Sequence, residues 1–518
     1  MAKITLMEQE SRVKKSLLNA RVNLICYFAS LFVAFFTRKV FLDQLGAEFI
    51  GLTGTLSSLL GFLNLAELGV AGAIAYVLYK PIHDGDKNKI NEVVSLLGYL
   101  YQKIGLFILG AGIILSCFIP LIFSDTEFSW GIIYLGFYAY LTSSMLGYFV
   151  NYRMSLLSAD QRNYEVTGLF QIANSTKTIV QMLLAIKFQN FALFLCLEIL
   201  FGLINSTILN YRINRVYPWL KTELKQGREL FKKYPEVWKY IKQLFAHKIG
   251  GFVQFQLIPI LIYPFASLAT VALYGNYTIL TARIQGLMSN VLDSTGAGVG
   301  NLISDGDQER IYAVYKELMA ARILIAGVLT CCVFRLTSQF IGVWLGEEYI
   351  LSDSILLLVC TSLFLSVSRG TNDQFLFGYG LFYDIWAPLV ESAILVGISL
   401  LGGTLLGFEG VLLGPIASLV IIVHIWKPYF LFSKGFKRSF LNYFVIVAKH
   451  IAPILISYIA SDFLLDKLNI ALNINLTSWF EWLYTATIFT ILISILSLVL
   501  NYVISSDLRI FIHRFIKK

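Results

Sequence analysis

The chain has 518 residues, of which 57% are hydrophobic and 14% are charged, and its formal net charge is +9. Soluble domains carry roughly 25% charged residues, so this composition excludes most soluble enzymes and any long disordered protein. In so apolar a chain, a basic excess indicates membrane topology rather than nucleic-acid binding. The sequence therefore predicts a polytopic membrane protein without a nucleic-acid partner.

The predicted elements are long apolar runs. A helix that crosses a bilayer needs ~20 mostly apolar residues. Fourteen runs fit this description, at 22–36, 49–79, 104–122, 130–152, 166–186, 191–211, 249–263, 271–303, 323–342, 351–368, 385–406, 409–426, 442–465 and 479–505. The short alternating strands of a membrane barrel do not occur. We therefore expect an all-α fold with about 14 transmembrane helices.

The segments between these runs differ in charge. If the N-terminus is cytoplasmic, the segments on that side hold 32 of the 41 Lys and Arg residues, and the opposite segments hold Arg38, Lys39, Lys187 and Lys467. Lys and Arg accumulate in cytoplasmic loops, so both termini are expected in the cytoplasm. The polar, basic segment 1–21 precedes the first run without a small-residue cleavage site, which predicts a retained signal anchor.

The most basic connection, residues 212–248, separates the first six runs from the other eight. It holds ten Lys and Arg residues against three Glu residues. Within it, Pro235 precedes Trp238, Ile241 and Phe245, whose spacing of three and four predicts a helix at the lipid interface.

A short motif recurs on both sides of this linker. Asp84-Gly85-Asp86 is followed by Lys89-Ile90, and 221 residues later Asp305-Gly306-Asp307 is followed by Arg310-Ile311. Each copy predicts a tight turn and a helix start capped by Asp. We therefore predict a six-helix lobe at 1–211, a basic linker at 212–248 and a second six-helix lobe at 249–426. An additional helix pair with a cytoplasmic tail follows at 427–518. Parallel repeats of this kind build transporters that open alternately inward and outward.

Ionisable residues inside the apolar runs are the candidate functional residues, because burying them in a membrane is costly. The basic candidates are Lys177, Arg283 and, at the cytoplasmic mouth of the first run, Arg21. We expect a cationic cavity in which Arg283 is the better phosphate ligand, since a guanidinium donates two parallel bonds. The acidic candidates either couple transport to ions or pair with basic residues; they are Glu67, Glu198, Asp293 and Glu391.

Several kinds of chemistry lack their motifs. There is no Gly-Lys dipeptide and hence no phosphate-binding loop for ATP, and the His and Cys residues show no metal-ligand spacing. We expect no cofactor, no metal and no enzymatic activity. The run Gly296-Ala297-Gly298-Val299-Gly300 lies in an apolar helix, where small residues predict close approach of a neighbouring helix.

A local pattern adds a family resemblance. Residues 66–74 read Ala-Glu-Leu-Gly-Val-Ala-Gly-Ala-Ile, and Tyr79-Lys80-Pro81 precedes the first Asp-Gly-Asp turn. With the fourteen runs and the basic linker, this chain resembles the multidrug/oligosaccharidyl-lipid/polysaccharide exporter superfamily, and within it the bacterial lipid-linked oligosaccharide flippases of the Wzx type (polysaccharide biosynthesis proteins).

The resemblance implies a transport function. The substrate would be an undecaprenyl-pyrophosphate-linked oligosaccharide, moved across the lipid bilayer for O-antigen, capsule or exopolysaccharide synthesis, with other polysaccharide assembly proteins as partners. Arg283 and Lys177 would face its cavity. Two alternatives stay open at this stage. One is a multidrug and toxin extrusion antiporter, whose cationic substrates require acidic residues, and the other is a membrane oligosaccharide polymerase.

Overall fold

The computed structural model describes residues 12–67, 69–292, 295–381, 383–472 and 478–516. Throughout these ranges the secondary structure is helical and contains no strand, so the predicted all-α class is confirmed. By its internal contacts the chain divides into two compact units, Met1–Ala269 and Thr270–Lys518.

The N-terminal unit is built from ten α-helices within its described residues. A 3₁₀ turn at Asn64–Glu67 follows the first of them. In chain order the helices are α1 (Arg12–Leu63), α2 (Val70–Asp84), α3 (Lys87–Ile122), α4 (Trp130–Phe149), α5 (Met154–Ala159), α6 (Tyr164–Phe188), α7 (Phe191–Val216), α8 (Gly227–Lys233), α9 (Pro235–Gln256) and α10 (Ile258–Ile262).

The C-terminal unit contains the remaining helices of the described chain, the first of which starts just before the boundary. Two π-helical segments, Leu419–Trp426 and Leu431–Phe436, flank one short helix. The helices are α11 (Leu268–Leu292), α12 (Gly296–Ser304), α13 (Gln308–Trp344), α14 (Asp353–Ser368), α15 (Gly370–Gly378), α16 (Trp386–Ser418), α17 (Lys427–Phe430), α18 (Leu441–Ala471), α19 (Trp479–Ile504) and α20 (Ser506–Ile516).

Eight helices in the described part of the chain are long and apolar enough to cross a membrane. The two longest, Arg21–Leu63 and Trp386–Phe436, contain kinks at Gly46 and Gly407, close to the starts of the predicted spans at 49 and 409. Helices α4, α6, α9 and α11, which contain other predicted spans, are not among the eight. The chain is an integral, multi-pass membrane protein.

Aromatic packing fixes the core of the N-terminal unit. Phe49 of α1 is fully buried and stacks on Phe191 of α7, with 4.5 Å between the ring centroids. Phe194 meets the same ring edge-on at 5.4 Å. Because rings prefer such offset and edge-on contacts, they hold α1 against α7. Helix α6 packs on both helices.

Helix α13 is central to the C-terminal unit, where it contacts α14, α18, α19 and α20. Its Tyr315 is fully buried, meets the Phe375 ring of α15 edge-on, and donates a hydrogen bond of 2.8 Å to Asn372 Oδ1. Helix α20 is tied to this core by charge: Asp507 lies 3.0 Å from Lys316, and Arg514 lies 3.0 Å from Glu317.

The two Asp-Gly-Asp turns adopt matching conformations, each as part of its own unit. Gly85 and Gly306 have φ of 67° and 81°, a left-handed region that favours glycine. Asp86 accepts a bond of 3.1 Å from the Lys89 amide, and Asp307 accepts one of 3.1 Å from the Arg310 amide. The predicted turn and cap are therefore present in both. The bond from the Lys89 amide lowers the pKa of Asp86 below its usual 3.8.

Helix α9 begins at Pro235, as the sequence predicts for the linker, but it runs without interruption to Gln256. It packs on α2 at Gly69, where an added Cβ would lie 2.8 Å from the Ile241 carbonyl oxygen and 2.9 Å from the Phe245 nitrogen. Residue 248, where the predicted linker ends, therefore lies inside a helix.

Candidate functional site

Lys177 of α6 is an ion-pair partner. Its Nζ lies 2.8 Å from Glu198 Oε2 on α7, and the two side chains are only 20% and 16% exposed. Gln181 donates to the other oxygen, Glu198 Oε1, at 2.8 Å and to the Phe194 carbonyl at 3.1 Å. The structure therefore brings together two of the predicted site residues, Lys177 and Glu198. They form an ion pair, which is one of the two roles that the sequence analysis gives the acidic candidates.

Further polar pairs continue along the same helix interface. Asn205 donates to Asn174 Oδ1 at 3.1 Å, and the Arg212 guanidinium pairs with Glu165. On α7 these residues and Glu198 are spaced by seven, so they lie on one face of the helix. Polar side chains between apolar helices hold them together in a membrane, and this line of pairs joins α6 to α7 along most of their length.

Glu67 lies where the helical path between α1 and α2 is interrupted by a 3₁₀ turn. Its Oε1 accepts a hydrogen bond of 2.5 Å from the Tyr101 hydroxyl of α3. At the start of the same turn, Asn64 Oδ1 accepts from Ser144 at 2.9 Å and from Tyr148 at 3.0 Å. The break is therefore held by side chains from α3 and α4, and Glu67 is the acidic end of that network.

The other predicted residues lie on other helices or outside the described residues. Arg21 is exposed in α1, and Arg283 is half-buried in α11. Asp293 lies outside the described residues. Glu391 is in the C-terminal unit on α16, where its side chain is 5% exposed.

A second cluster of charges, which the sequence analysis did not identify, lies in the C-terminal unit. The Asp373 carboxylate of α15 bridges two cations: its Oδ2 is 2.7 Å from Arg369 Nε, and its Oδ1 is 3.1 Å from Lys427 Nζ. The basic-residue count predicts that Arg369 and Lys427 lie in cytoplasmic segments. In the structure Arg369 lies at the α14–α15 junction and Lys427 at the start of α17, and both contact Asp373.

Two basic side chains lie beside this cluster. Arg322 is buried, with 4% exposure, and donates to the Val367 carbonyl at 3.2 Å. His424 Nε2 lies 2.9 Å from the Leu365 carbonyl, and its Nδ1 lies 2.7 Å from the Tyr443 hydroxyl. Because a carbonyl only accepts, Nε2 carries a proton. The imidazole thus joins α14 to α18.

A cavity of 610 Å³ adjoins this cluster. Helices α12 and α15 form its walls, which include the side chains of Asp373, Gln374, Phe377 and Ser304 and the backbone of several glycines, Gly296, Gly300, Gly370 and Gly378. This volume falls within the roughly 300–1,000 Å³ range of small-molecule sites.

Glycines of α12 line this cavity. The close helix approach that the sequence predicts for them is present on one side, where α12 packs on α15 and a Cβ added at Gly378 would lie 3.7 Å from Gly300 Cα. Elsewhere the glycines leave space. A Cβ added at Gly298 or Gly300 would meet no atom within 4 Å, and one at Gly296 would meet only Gln374 Cγ, at 3.9 Å.

Comparison with known proteins identifies the fold. No known sequence family matches the chain, and no curated protein matches it by sequence. In three dimensions it is similar to the lipid II flippase MurJ in an inward closed conformation, with TM-score 0.60 and 15% identity, over 92% of this chain and 98% of that one.

It is also similar to an inward-facing multidrug resistance MATE-family transporter of the MOP superfamily, with TM-score 0.53 and 15% identity, over 80% of this chain and 98% of that one. The chain thus has the fold shared by these membrane transporters. This agrees with the fold that the resemblance implies.

Proposed function

We propose that this protein is a flippase that moves an undecaprenyl-pyrophosphate-linked oligosaccharide outward across the bacterial cytoplasmic membrane by alternating access. The observation that carries the proposal is the fold shared with a lipid II flippase over 92% of the chain. The match to the MATE-family transporter covers 80%. Both termini would be cytoplasmic, and the product would serve cell-surface polysaccharide synthesis.

The membrane potential supports outward movement of such a substrate. Sugar hydroxyls and phosphates need polar partners in place of water while they cross hydrocarbon. An inside-negative potential favours export of an anionic head group by about 2.3 kcal/mol per charge per 100 mV. A flippase of this kind therefore needs no ATP, and the protein would act as a transporter rather than as an enzyme.

Within this proposal, Arg283 is the preferred phosphate ligand. Lys177 is a weaker candidate than its sequence position suggests, because Glu198 and Gln181 already surround the charge. Arg21, exposed in α1, would attract the anionic head group at the cytoplasmic side. Glu67 and Glu391 remain candidates for ion coupling, as does Asp293.

Deletion in the native host tests the proposal. Lipid-linked repeat units should accumulate on the cytoplasmic face and surface glycan should disappear. Arg283→Ala should reproduce this phenotype at normal membrane levels, whereas Arg310→Ala, at the exposed Asp-Gly-Asp turn, should export normally. Intact surface glycan with new sensitivity to cationic drugs would support the antiporter. Lipid-linked units that reach the outer face but are not joined together would support the polymerase.

A further inference from the structure

The cavity between α12 and α15 presents polar groups whose hydrogen-bonding capacity is only partly used within the protein. Gln374 donates to the Leu292 carbonyl at 3.0 Å and accepts from Thr295 at 3.2 Å. These contacts use one of its two N–H groups and one lone pair of its oxygen. Ser304 donates to the Gly300 carbonyl at 3.0 Å and keeps its acceptor lone pairs. The wall therefore offers both donors and acceptors.

The charges of the wall disfavour a cationic ligand. The Asp373 carboxylate lies between Arg369 and Lys427, so the three groups carry a local sum of +1 and would repel a cation. A carboxylate has about four acceptor sites, and the two ion-pair contacts leave some of them for hydroxyl donors. These properties fit a ligand that is rich in hydroxyl groups and carries no positive charge.

An aromatic ring completes the wall. Phe377 lines the cavity and is 78% exposed, so its ring is accessible to a ligand. The face of an aromatic ring is electronegative, so it attracts the weakly positive C–H face of a pyranose. One ring together with an amide and a carboxylate supplies contacts for both the apolar face and the hydroxyl edge of a sugar.

We propose that this cavity binds sugar units of an oligosaccharide, with Phe377 stacking on one ring and Gln374 and Asp373 bonding its hydroxyls. Gly296 and Gly300 of α12, which line the cavity, make room for the sugar. Sugar binding in this cavity does not depend on the proposed function. The inference rests on that function only in taking the oligosaccharide to be attached to a lipid. Gln374 and Phe377 would then determine which glycan is accepted, because a site built to bond hydroxyls rejects ligands that lack them.

Saturation-transfer NMR on the full-length protein in phospholipid nanodiscs tests this binding, with maltotriose and chitotriose as probes. We expect transfer to sugar ring protons in the wild-type protein. Gly300→Leu should weaken binding about tenfold by filling the cavity. Gly298→Leu is the matched control, since it changes the same helix but does not line this cavity; its signal should equal that of the wild type.

Side-chain variants refine the test. Phe377→Leu and Gln374→Leu should each lower the signal severalfold, whereas Phe480→Leu, which alters an 82% exposed ring on α19, should not. No transfer from either trisaccharide, or equal transfer in Gly300→Leu and the wild-type protein, overturns the inference.

A flipping assay in liposomes with a fluorescent lipid-linked oligosaccharide separates this inference from the proposed function. Flipping without sugar binding in the cavity refutes the inference alone. Sugar binding that depends on Gly300 and Phe377 but is not accompanied by flipping refutes the proposed function alone and supports the cavity assignment.

Discussion

Asp373→Asn tests whether the charge cluster of the C-terminal unit is a structural centre. The carboxylate contacts Arg369 at 2.7 Å and Lys427 at 3.1 Å. At an effective dielectric constant of about 20, one such contact is worth about 5–6 kcal/mol before desolvation is subtracted. The Asp373 side chain is 35% exposed, so water screens part of this attraction. Removing one partner of a fully buried pair costs about 3–5 kcal/mol.

We therefore expect Asp373→Asn to lower the free energy of unfolding by about 2–3 kcal/mol, because two cations are left facing each other. Adding Lys427→Met should recover most of that loss. Unfolding by SDS in mixed micelles, followed by circular dichroism, measures each variant. Asp43→Asn is the control, since its pair with Lys39 is 3.7 Å long and both side chains are more than 40% exposed; its effect should stay below about 0.5 kcal/mol. A double-mutant cycle for Asp373 and Lys427 with no coupling energy would refute this reasoning.

Three further predictions concern the N-terminal unit. Gly69→Ala should destabilise the protein by about 3 kcal/mol, because Gly69 has a left-handed φ of 93° and the added Cβ would press on α9. Gly85→Ala is the control. No atom lies near its added Cβ, so it should cost only about 1 kcal/mol in the same SDS titration. Tyr101→Phe should cost about 1.5–3 kcal/mol by removing the donor to Glu67, and much less in a Glu67→Gln background if the two groups act as one pair. The lowered pKa of Asp86 means that its cap is complete above pH 3.8 and is lost as the pH falls below that value. Hydrogen exchange at the start of α3, corrected for intrinsic rates, should therefore rise at low pH in the wild-type protein. It should not rise in Asp86→Asn, because the Asn amide caps the helix without titrating.

Local features of the fold follow from the sequence. The apolar runs predict helices, and the Asp-Gly-Asp motif predicts a turn because the residues that make the turn and the cap are adjacent in the chain. Helix lengths are less predictable. Helix α13 starts at Gln308, as the Asp307 cap predicts, although its apolar run starts only at 323. The hydropathy pattern misses the first part of the helix because Glu317 and Arg322, which are buried there, are charged.

The candidate site was predictable only in part. Lys177 and Glu198 lie on either side of the turn at Gln189–Asn190, so a helical hairpin brings them near each other, and the pairing alternative could be stated beforehand. Asp373 and Lys427 are 54 residues apart, and a π-helical segment just before Lys427 shifts the phase of the helix. No spacing rule relates these positions, so the cluster emerges only from the folded chain.

The attachment of α20 to α13 has a practical consequence for handling the protein. Glu317 has a side chain only 4% exposed and relies on Arg514 for a partner, while Asp507 lies within 4 Å of both Lys316 and Lys449. Shortening the chain before Ser506 would strand one buried carboxylate and leave two lysines without their shared counter-charge. Affinity tags and fluorescent fusions placed after residue 518 therefore need a flexible spacer, and truncated versions should not be used as functional substitutes in expression trials.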